Sequence, residues 1–141
     1  MTSKIDILRD KDITVVGQDS ASTGHLKCTF DGSRYTVEIA VNDLSFAETA
    51  ESAFGALSGL RDRLQAHGLR PAIEGACIDV YPSGMQLEMA GGVRAYRWAG
   101  GGRPVSVDTF EDVPADDYAR LATAREQRES FDARGRRRNG E

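Results

Sequence analysis

The stretch His25-Leu-Lys-Cys-Thr-Phe-Asp-Gly-Ser-Arg-Tyr-Thr-Val-Glu-Ile-Ala-Val41 contains two runs in which apolar and polar side chains alternate. Alternation with a period of two is typical of β-strands that have one buried and one solvated face. Asp31-Gly32 joins the runs, and these residue types tolerate the backbone conformations of tight hairpin turns. The stretch therefore predicts an antiparallel hairpin. Its inner face is predicted to carry Leu26, Cys28, Phe30, Tyr35, Val37, Ile39 and Val41.

A helix is predicted after the hairpin, beginning at Ser45, because Ser45-Phe46-Ala47-Glu48 has the residue spacing of a capping box. The apolar residues that follow recur every three or four positions, as on the buried stripe of a helix. Gly68 and then Pro71 are typical of a helix end. The predicted stripe consists of Phe46, Ala50, Ala53, Phe54, Leu57, Leu60 and Leu64.

Further β-prone runs predict strands at residues 13–16, 72–81, 93–98 and 105–110. Val113-Pro114 predicts the start of a second helix, because proline is tolerated in a first helical turn. The resulting order is β-β-β-α-β-β-β-α. It predicts an α+β fold, with one antiparallel sheet of about five to six strands and two helices on one face.

The composition indicates one folded domain with a basic end. A chain of 141 residues that is 40% hydrophobic suits a single domain, which buries roughly 68% of its unfolded surface. We expect residues 1–133 to form this domain and residues 134–141 to be a basic disordered tail. Four arginines and one glutamate give the tail a charge of +3, so a total of −4 leaves −7 on the body. Such a body repels phosphate, so nucleic-acid binding is not expected except through the Arg tail. The tail itself is interpreted as a solvated terminus, in preference to a contact with nucleic acid or an acidic partner.

The cysteine and hydropathy patterns predict a cytoplasmic protein. Two cysteines that lie far apart, without a Cys/His cluster, predict neither a disulfide framework nor a zinc site, and no cofactor is expected. No apolar run approaches the length of a transmembrane helix, so no membrane partner is expected. The first residues become polar within a few positions, unlike a secretory signal.

The candidate binding site lies in residues 79–98, which read Asp-Val-Tyr-Pro-Ser-Gly-Met-Gln-Leu-Glu-Met-Ala-Gly-Gly-Val-Arg-Ala-Tyr-Arg-Trp. A turn and a Gly-Gly pair between two strands would bring polar tips, aromatic rings and loop amides to one end of the sheet. Such a cluster suits a small anion, a peptide carboxylate or a nucleoside. The alternative is a hairpin loop packed by Met85, Leu87 and Met89. The predicted binding residues are Asp79, Tyr81, Ser83, Arg94, Tyr96 and Trp98.

The stretch from Gly75 to Tyr96 resembles a group of small bacterial proteins that share Ala-Arg-Arg-Asp-Val-Tyr-Pro-Ser-Gly-Met, then Arg-Gln-Met-Gly-Gly-Gly and Lys-Ala-Tyr. The resemblance implies a common fold and no particular activity. This chain lacks three of the positive charges, which weakens any anion site and favours a protein partner. The shared residues are Asp79, Val80, Tyr81, Pro82, Ser83, Gly84, Met85, Met89, Gly91, Gly92, Ala95 and Tyr96. The differing residues are Cys77, Ile78, Leu87, Glu88, Ala90 and Arg94.

The sequence favours a protein that is not an enzyme. Ser83 lies in Pro-Ser-Gly rather than in a Gly-x-Ser-x-Gly nucleophile elbow, and neither His25 nor His67 is near it in sequence. The carboxylates between residues 108 and 117 are interpreted as a solvated acidic edge, in preference to a glycosidase pair or a metal site.

The leading hypothesis is a protein-binding module, in particular an immunity protein that neutralises a cognate basic toxin or enzyme. Long-range attraction would steer an acidic domain to such a target. Tyr81, Tyr96 and Trp98 are candidate hot spots. The candidate acidic contacts are Asp108, Glu111, Asp112, Asp116 and Asp117. The alternative is a small-ligand-binding protein or enzyme that uses the Asp79–Arg94 hairpin, and it predicts a concave pocket there.

Overall fold

The computed structural model describes residues 4–98 and 102–140, with residues 136–140 described by their backbone alone. The first half forms a five-stranded antiparallel sheet in the order β4-β3-β2-β1-β5, with one helix between β4 and β5. These elements are β1 (Asp6–Val16), β2 (Ala21–Phe30), β3 (Tyr35–Val41), β4 (Leu44–Ala50), α1 (Ala53–Gln65) and β5 (Arg70–Pro71).

The second half forms a three-stranded antiparallel sheet in the order β6-β7-β8, with two further helices. Its elements are β6 (Val80–Tyr81), α2 (Gly84–Ala90), β7 (Arg94–Arg97), β8 (Val105–Asp108) and α3 (Ala124–Gly140). Two 3₁₀ turns complete the described chain, at Glu74–Ala76 and Ala115–Arg120.

The hairpin predicted from the opening stretch is confirmed. Strands β2 and β3 pair in the register that places Leu26 opposite Ile39. Cys28 lies opposite Val37 in the same register, so the apolar side chains of both strands share one face. All four of these side chains are fully buried. Gly32 in the turn has a φ of +96°, which explains the glycine at this position.

Helix α1 packs its apolar stripe into the core formed with the inner face of the first sheet. Its N-cap is Ser52, whose Oγ accepts a hydrogen bond of 2.9 Å from the amide of Gly55. Gly68, which was predicted to end the helix, follows it with a φ of +70°. This is the left-handed conformation that glycine commonly adopts after a helix. Burying each large apolar side chain of the stripe contributes about 2 kcal/mol. The buried apolar residues of α1 are Ala53, Phe54, Ala56, Leu57, Leu60 and Leu64.

The predicted helix start at Ser45 is wrong, because this residue lies in β4. The chain turns from β3 into β4 through Asn42 and Asp43, and Asn42 adopts a φ of +54°. Phe46 then lies opposite Ile39, and only 8% of its surface is exposed. Pairing with β3 therefore uses the backbone groups that a capping box would have used, and the alternation around Phe46 is that of a strand.

The predicted strand at residues 72–81 is also wrong, except for its last two residues in β6. The amide of Gly75 donates to the carbonyl of Thr109 at 2.7 Å, and the carbonyl of Gly75 accepts from the Arg61 guanidinium at 3.1 Å. A Cβ at Gly75 would lie 2.6 Å from the Thr109 side chain, so this close approach needs glycine. These contacts with loop and side-chain groups replace a strand ladder.

The loop predicted between the strands of the candidate site is in fact helix α2. The side chains of Met85 and Met89 are exposed and do not pack the segment, while Leu87 is half-buried. The two strands around this helix, β6 and β7, do pair as an antiparallel hairpin.

The second predicted helix begins later than Val113-Pro114. Residues 115–120 form a 3₁₀ turn, and Leu121 then pairs with Cys77 in an isolated β-bridge that holds the chain extended. Helix α3 follows after a reciprocal cap, in which the Thr123 amide donates to the Glu126 carboxylate at 2.8 Å. The Glu126 amide in turn donates to the Thr123 hydroxyl at 3.1 Å.

The α+β class is confirmed, but the predicted order β-β-β-α-β-β-β-α is wrong in detail. The strands form two sheets instead of one, the described residues contain three α-helices instead of two, and β1 is longer than the run predicted at residues 13–16. The backbone of residues 134–140 belongs to helix α3. The predicted division into a domain at residues 1–133 and a basic disordered tail at residues 134–141 stays a prediction. Within the described ranges, none of the helices is long and apolar enough to cross a bilayer.

Candidate functional site

The pairing of β6 with β7 brings four of the predicted binding residues together. Tyr81 and Tyr96 are direct partners, so their side chains share a face of the second sheet. The amide of Trp98 donates to the carbonyl of Asp79 at 2.7 Å, which extends this pairing. The Trp98 indole donates to the carbonyl of Tyr81 at 3.1 Å. The rings of Tyr96 and Trp98 meet nearly edge-on at 5.6 Å.

Tyr81 also has a packing role. Its ring is stacked on Phe131 of α3 at 4.3 Å and is tilted against Phe54 of α1 at 5.1 Å. Trp98 contacts the same Phe131 ring at 6.0 Å. Aromatic contacts of this kind each contribute about 1 kcal/mol beyond area burial. The cluster therefore joins the second sheet to helices α1 and α3.

Asp79 belongs to an internal ion-pair network. Its carboxylate accepts from Arg120 at 3.0 Å, and Arg120 also donates to Glu74 at 2.7 Å. Arg97 donates to the other oxygen of Glu74 at 2.8 Å, and the Glu74 side chain is only 5% exposed. Burial lowers the pKa of Arg120, but its hydrogen bonds to Glu74 and Asp79 outweigh this effect and raise the pKa above its ordinary value. The network ties the 3₁₀ turn at 115–120 to the second sheet.

Ser83 serves as the N-cap of α2. Its hydroxyl accepts from the Gln86 amide at 3.1 Å, and its own amide donates to the Gln86 side chain at 2.8 Å. This reciprocal capping box engages the hydroxyl that a nucleophilic role would need free. Arg94 is exposed on β7 and donates to the Ser106 hydroxyl of β8 at 3.0 Å.

Helix α2 displays an apolar surface that sequence reasoning missed. The exposed fractions of Met85 and Met89 are 69% and 80%, and Glu88 between them is exposed as well. We call these three residues the α2 methionine surface. The signal for the helix is present in the sequence as Ser83-x-x-Gln86, followed by Gly91 at the position of a C-cap.

The predicted acidic contacts divide into paired and unpaired carboxylates. Asp108 accepts from the Arg9 Nε at 2.9 Å and lies mostly buried, and Asp112 pairs with Lys11 at 3.3 Å. In contrast, three other side chains are exposed, and none of them has a basic partner among the described residues. These exposed carboxylates are Glu111, Asp116 and Asp117. We call residues 108–117 the acidic segment.

Several basic side chains of the described body are engaged within the chain. Arg61 is buried and bonded to main-chain carbonyls, and Arg63 pairs with Glu48 at 2.8 Å. Others pair with the carboxylates described above, namely Arg9, Lys11, Arg97 and Arg120. Because these cations are paired or bonded inside the chain, they do not offset the exposed carboxylates of the acidic segment.

A groove of about 460 Å³ lies between helices α1 and α3, beside the candidate hairpin. Tyr81 and Pro82 line it, together with Asp62 of α1 and with Arg125 and Arg128 of α3. Its lining includes neither Ser83 nor Arg94 nor Tyr96, so only one end of the predicted hairpin site reaches it.

The histidines lie in other parts of the fold. The His25 ring on β2 contacts the carboxylates of Asp10 and Asp12, and the His67 ring packs against Phe46 at 5.4 Å.

Among known proteins, no family model matches this chain, and no curated protein shows significant similarity to it.

Proposed function

We propose that the protein is a cytoplasmic protein-binding module without enzymatic activity whose partner is basic, in particular an immunity protein that neutralises a basic toxin or enzyme. The observation that supports this proposal best is the exposure of Glu111, Asp116 and Asp117 on one short segment. Arg9, Lys11 and Arg120 do not balance them, because Arg9 and Lys11 are paired with other carboxylates and Arg120 bonds to Glu74 and Asp79. Tyr96 and Trp98 at the sheet end remain the proposed aromatic contacts.

The physical effect of this arrangement is on the rate of encounter. Exposed charges of one sign raise the association rate with an oppositely charged partner, and salt screens them over a Debye length of about 10 Å at 0.1 M. The dissociation rate depends instead on the packed centre of the interface. A toxin inhibitor benefits from fast association because it must bind its target before the target acts.

The test is co-expression with the product of the neighbouring reading frame, followed by purification at low salt. The triple variant Glu111→Gln/Asp116→Asn/Asp117→Asn is then compared with a control that removes the same charge elsewhere. That control is Asp19→Asn/Glu38→Gln/Asp43→Asn, whose three carboxylates are also exposed. We expect the first variant to slow association about tenfold at low salt and the control to slow it much less.

Two results would contradict the proposal. One is the absence of a complex with the wild-type protein at about 50 mM salt, where attraction is strongest. The other is an equal effect of both triple variants, which would mean that net charge matters and the acidic segment does not.

The second candidate function is small-ligand binding, and the groove beside Tyr81 and Pro82 favours it. A volume of about 460 Å³ is in the range of ligand sites. Arg128 in its lining suits a carboxylate, as does Arg125, which also pairs with Glu129 at 3.0 Å. Titration with benzoate, followed by NMR, should shift amide signals around Tyr81 in the wild type and not in Arg125→Gln/Arg128→Gln. A wild type without such shifts would count against this function.

A further inference from the structure

Helix α2 is held firmly although none of its residues is buried. A complete capping box closes its start, and Gly91 ends it with a φ of +63°. The carbonyl of Gly91 accepts from the Phe54 amide at 3.2 Å, which fixes the helix to the start of α1. Gly91 and Gly92 both lie so close to aromatic side chains, of Tyr35 and Phe54, that a Cβ would clash. The chain therefore orders this short helix through its caps and through the contacts of the two glycines that follow it.

The outward side of α2 has the most exposed large apolar side chains in the described part of the chain. Met85 and Met89 are four residues apart, so they lie side by side on one face of the helix. Other residues of the segment have internal contacts. Asp79 pairs with Arg120, Tyr81 packs on Phe131, and Ser83 accepts from the Gln86 amide. Among the described residues of the segment, the two methionines are the large apolar side chains that are exposed to solvent.

We infer that the α2 methionine surface is the centre of the partner interface, an inference that rests on the proposed function. Methionine side chains are flexible and polarisable, so they adapt to an apolar pocket on another protein. A preformed helix that carries them lowers the ordering cost of binding. The acidic segment then contributes attraction at the rim, and the methionines contribute the packed contact.

Two exposed carboxylates near the methionines favour a basic partner. Glu88 is the charged residue of this helix, and Glu51, which precedes the N-cap of α1, is exposed at the neighbouring helix start. The acidic segment adjoins the end of α2, because Thr109 donates to the carbonyls of Gly92 and Val93 at 2.6 and 2.9 Å. The complementary partner is a folded basic protein whose apolar pocket is bordered by lysine or arginine side chains.

Methionine oxidation measures the burial of this surface directly. The complex with the neighbouring reading frame's product and the free protein are treated with hydrogen peroxide, with N-acetylmethionine amide as a rate reference in the same tube. Mass spectrometry then gives the oxidation rate at each site. We expect the rates at Met85 and Met89 to fall at least about fivefold in the complex. Unchanged rates in a complex that does form would overturn the inference and leave the proposed function standing.

Variants supply the second readout. Met85→Gln/Met89→Gln keeps side-chain size on an exposed helix face, so the fold should tolerate it. We expect the double variant to bind at least tenfold more weakly, mainly through faster dissociation. The matched control is Ile5→Thr/Ile7→Thr, which removes two exposed apolar side chains, that of Ile7 in β1 and that of Ile5 just before this strand. This control should bind the partner as tightly as the wild type does. Equal affinity of both variants would contradict the inference, whereas failure of the wild type to bind would remove the proposed function itself.

Discussion

The guanidinium of Arg61 donates a hydrogen bond of 2.7 Å to the side-chain oxygen of Gln127, and both side chains are almost completely buried. Arg61 also donates to the carbonyl of Gly75 at 3.1 Å. The amide nitrogen of Gln127 donates to the carbonyls of Cys77 and Val80, each at 2.8 Å. Burial lowers the pKa of Arg61 to about 10, which still leaves the side chain charged at neutral pH. The pair therefore joins α1 and α3 through polar contacts within the core.

Removing either partner should destabilise the protein strongly. Arg61→Met leaves the side-chain oxygen of Gln127 and the carbonyl of Ala122 without their Arg61 donor, and Gln127→Leu leaves a buried charge without one of its acceptors. We expect each substitution to lower the free energy of unfolding by about 3 kcal/mol. Urea denaturation followed by circular dichroism measures the change.

Arg125→Ala on the same helix is the control for this prediction, because Arg125 is exposed and pairs with Glu129 on the surface. It should change the free energy of unfolding by less than about 0.5 kcal/mol. The double variant Arg61→Met/Gln127→Leu should lose less than the sum of the single losses, since the residues act together. Equal stability of Arg61→Met and Arg125→Ala would show that the pair does not hold α3.

Local patterns predicted the elements whose signals are short-range. The alternation around Asp31-Gly32 predicted β2 and β3, and Gly68 marked the end of α1. The stripe of α1 from Ala53 onward was also correct, because amphipathic spacing reports directly on the buried face. Phe46 lies in β4 and not on the helix stripe. Its place in the sequence fits both the two-residue spacing of a strand and the three- or four-residue spacing of a helix, because β4 is followed closely by α1.

Contacts between distant residues explain what the sequence could not predict. The turn at Glu74–Ala76 depends on Thr109 and Arg61, which are far away in sequence. Among the candidate site residues, Asp79 is engaged by Arg120, a partner that no local pattern indicates. The α2 helix, by contrast, had a local signal at Ser83 and Gln86, but the nearby turn-forming residues favoured a loop.

Substitution of Gly91 should destabilise α2 and its contact with α1. Gly91 has a φ of +63°, and a Cβ there would clash with the Tyr35 ring, so Gly91→Ala combines backbone strain with steric overlap. We expect it to lower the free energy of unfolding by about 1–3 kcal/mol. The control Gly84→Ala lies in the same helix with open space around it and should be neutral or slightly stabilising. A neutral Gly91→Ala would contradict the close contact with Tyr35.

His25 should make the stability of the protein depend on pH. Hydrogen bonds to the carboxylates of Asp12 and Asp10 raise the pKa of His25 above 6.5. Only the protonated ring can donate to both carboxylates. A raised pKa means that this stabilisation is fully present below the unfolded-state pKa and is lost as pH rises through the folded-state pKa.

The measurement compares the wild type with His25→Gln by urea denaturation at about pH 5.5 and about pH 8.5. The difference in free energy of unfolding should be larger at the lower pH. Asp12→Asn should lower the pKa of His25 in an NMR titration, because it replaces a charged acceptor. A difference that stays constant across this range would contradict the predicted linkage.

The two thiols should react only when the protein opens. Cys28 and Cys77 are fully buried, and burial raises their pKa values to about 11 and about 12. The thiolate is the reactive form, so a chromogenic disulfide reagent at about pH 8 should modify neither residue in the native protein. In denaturant it should modify both cysteines. Gln127→Leu, which removes the hydrogen bond to the Cys77 carbonyl, should accelerate the native-state reaction by raising the open population, whereas Arg125→Ala should not. Rapid reaction of the wild type under native conditions would contradict the burial of these thiols.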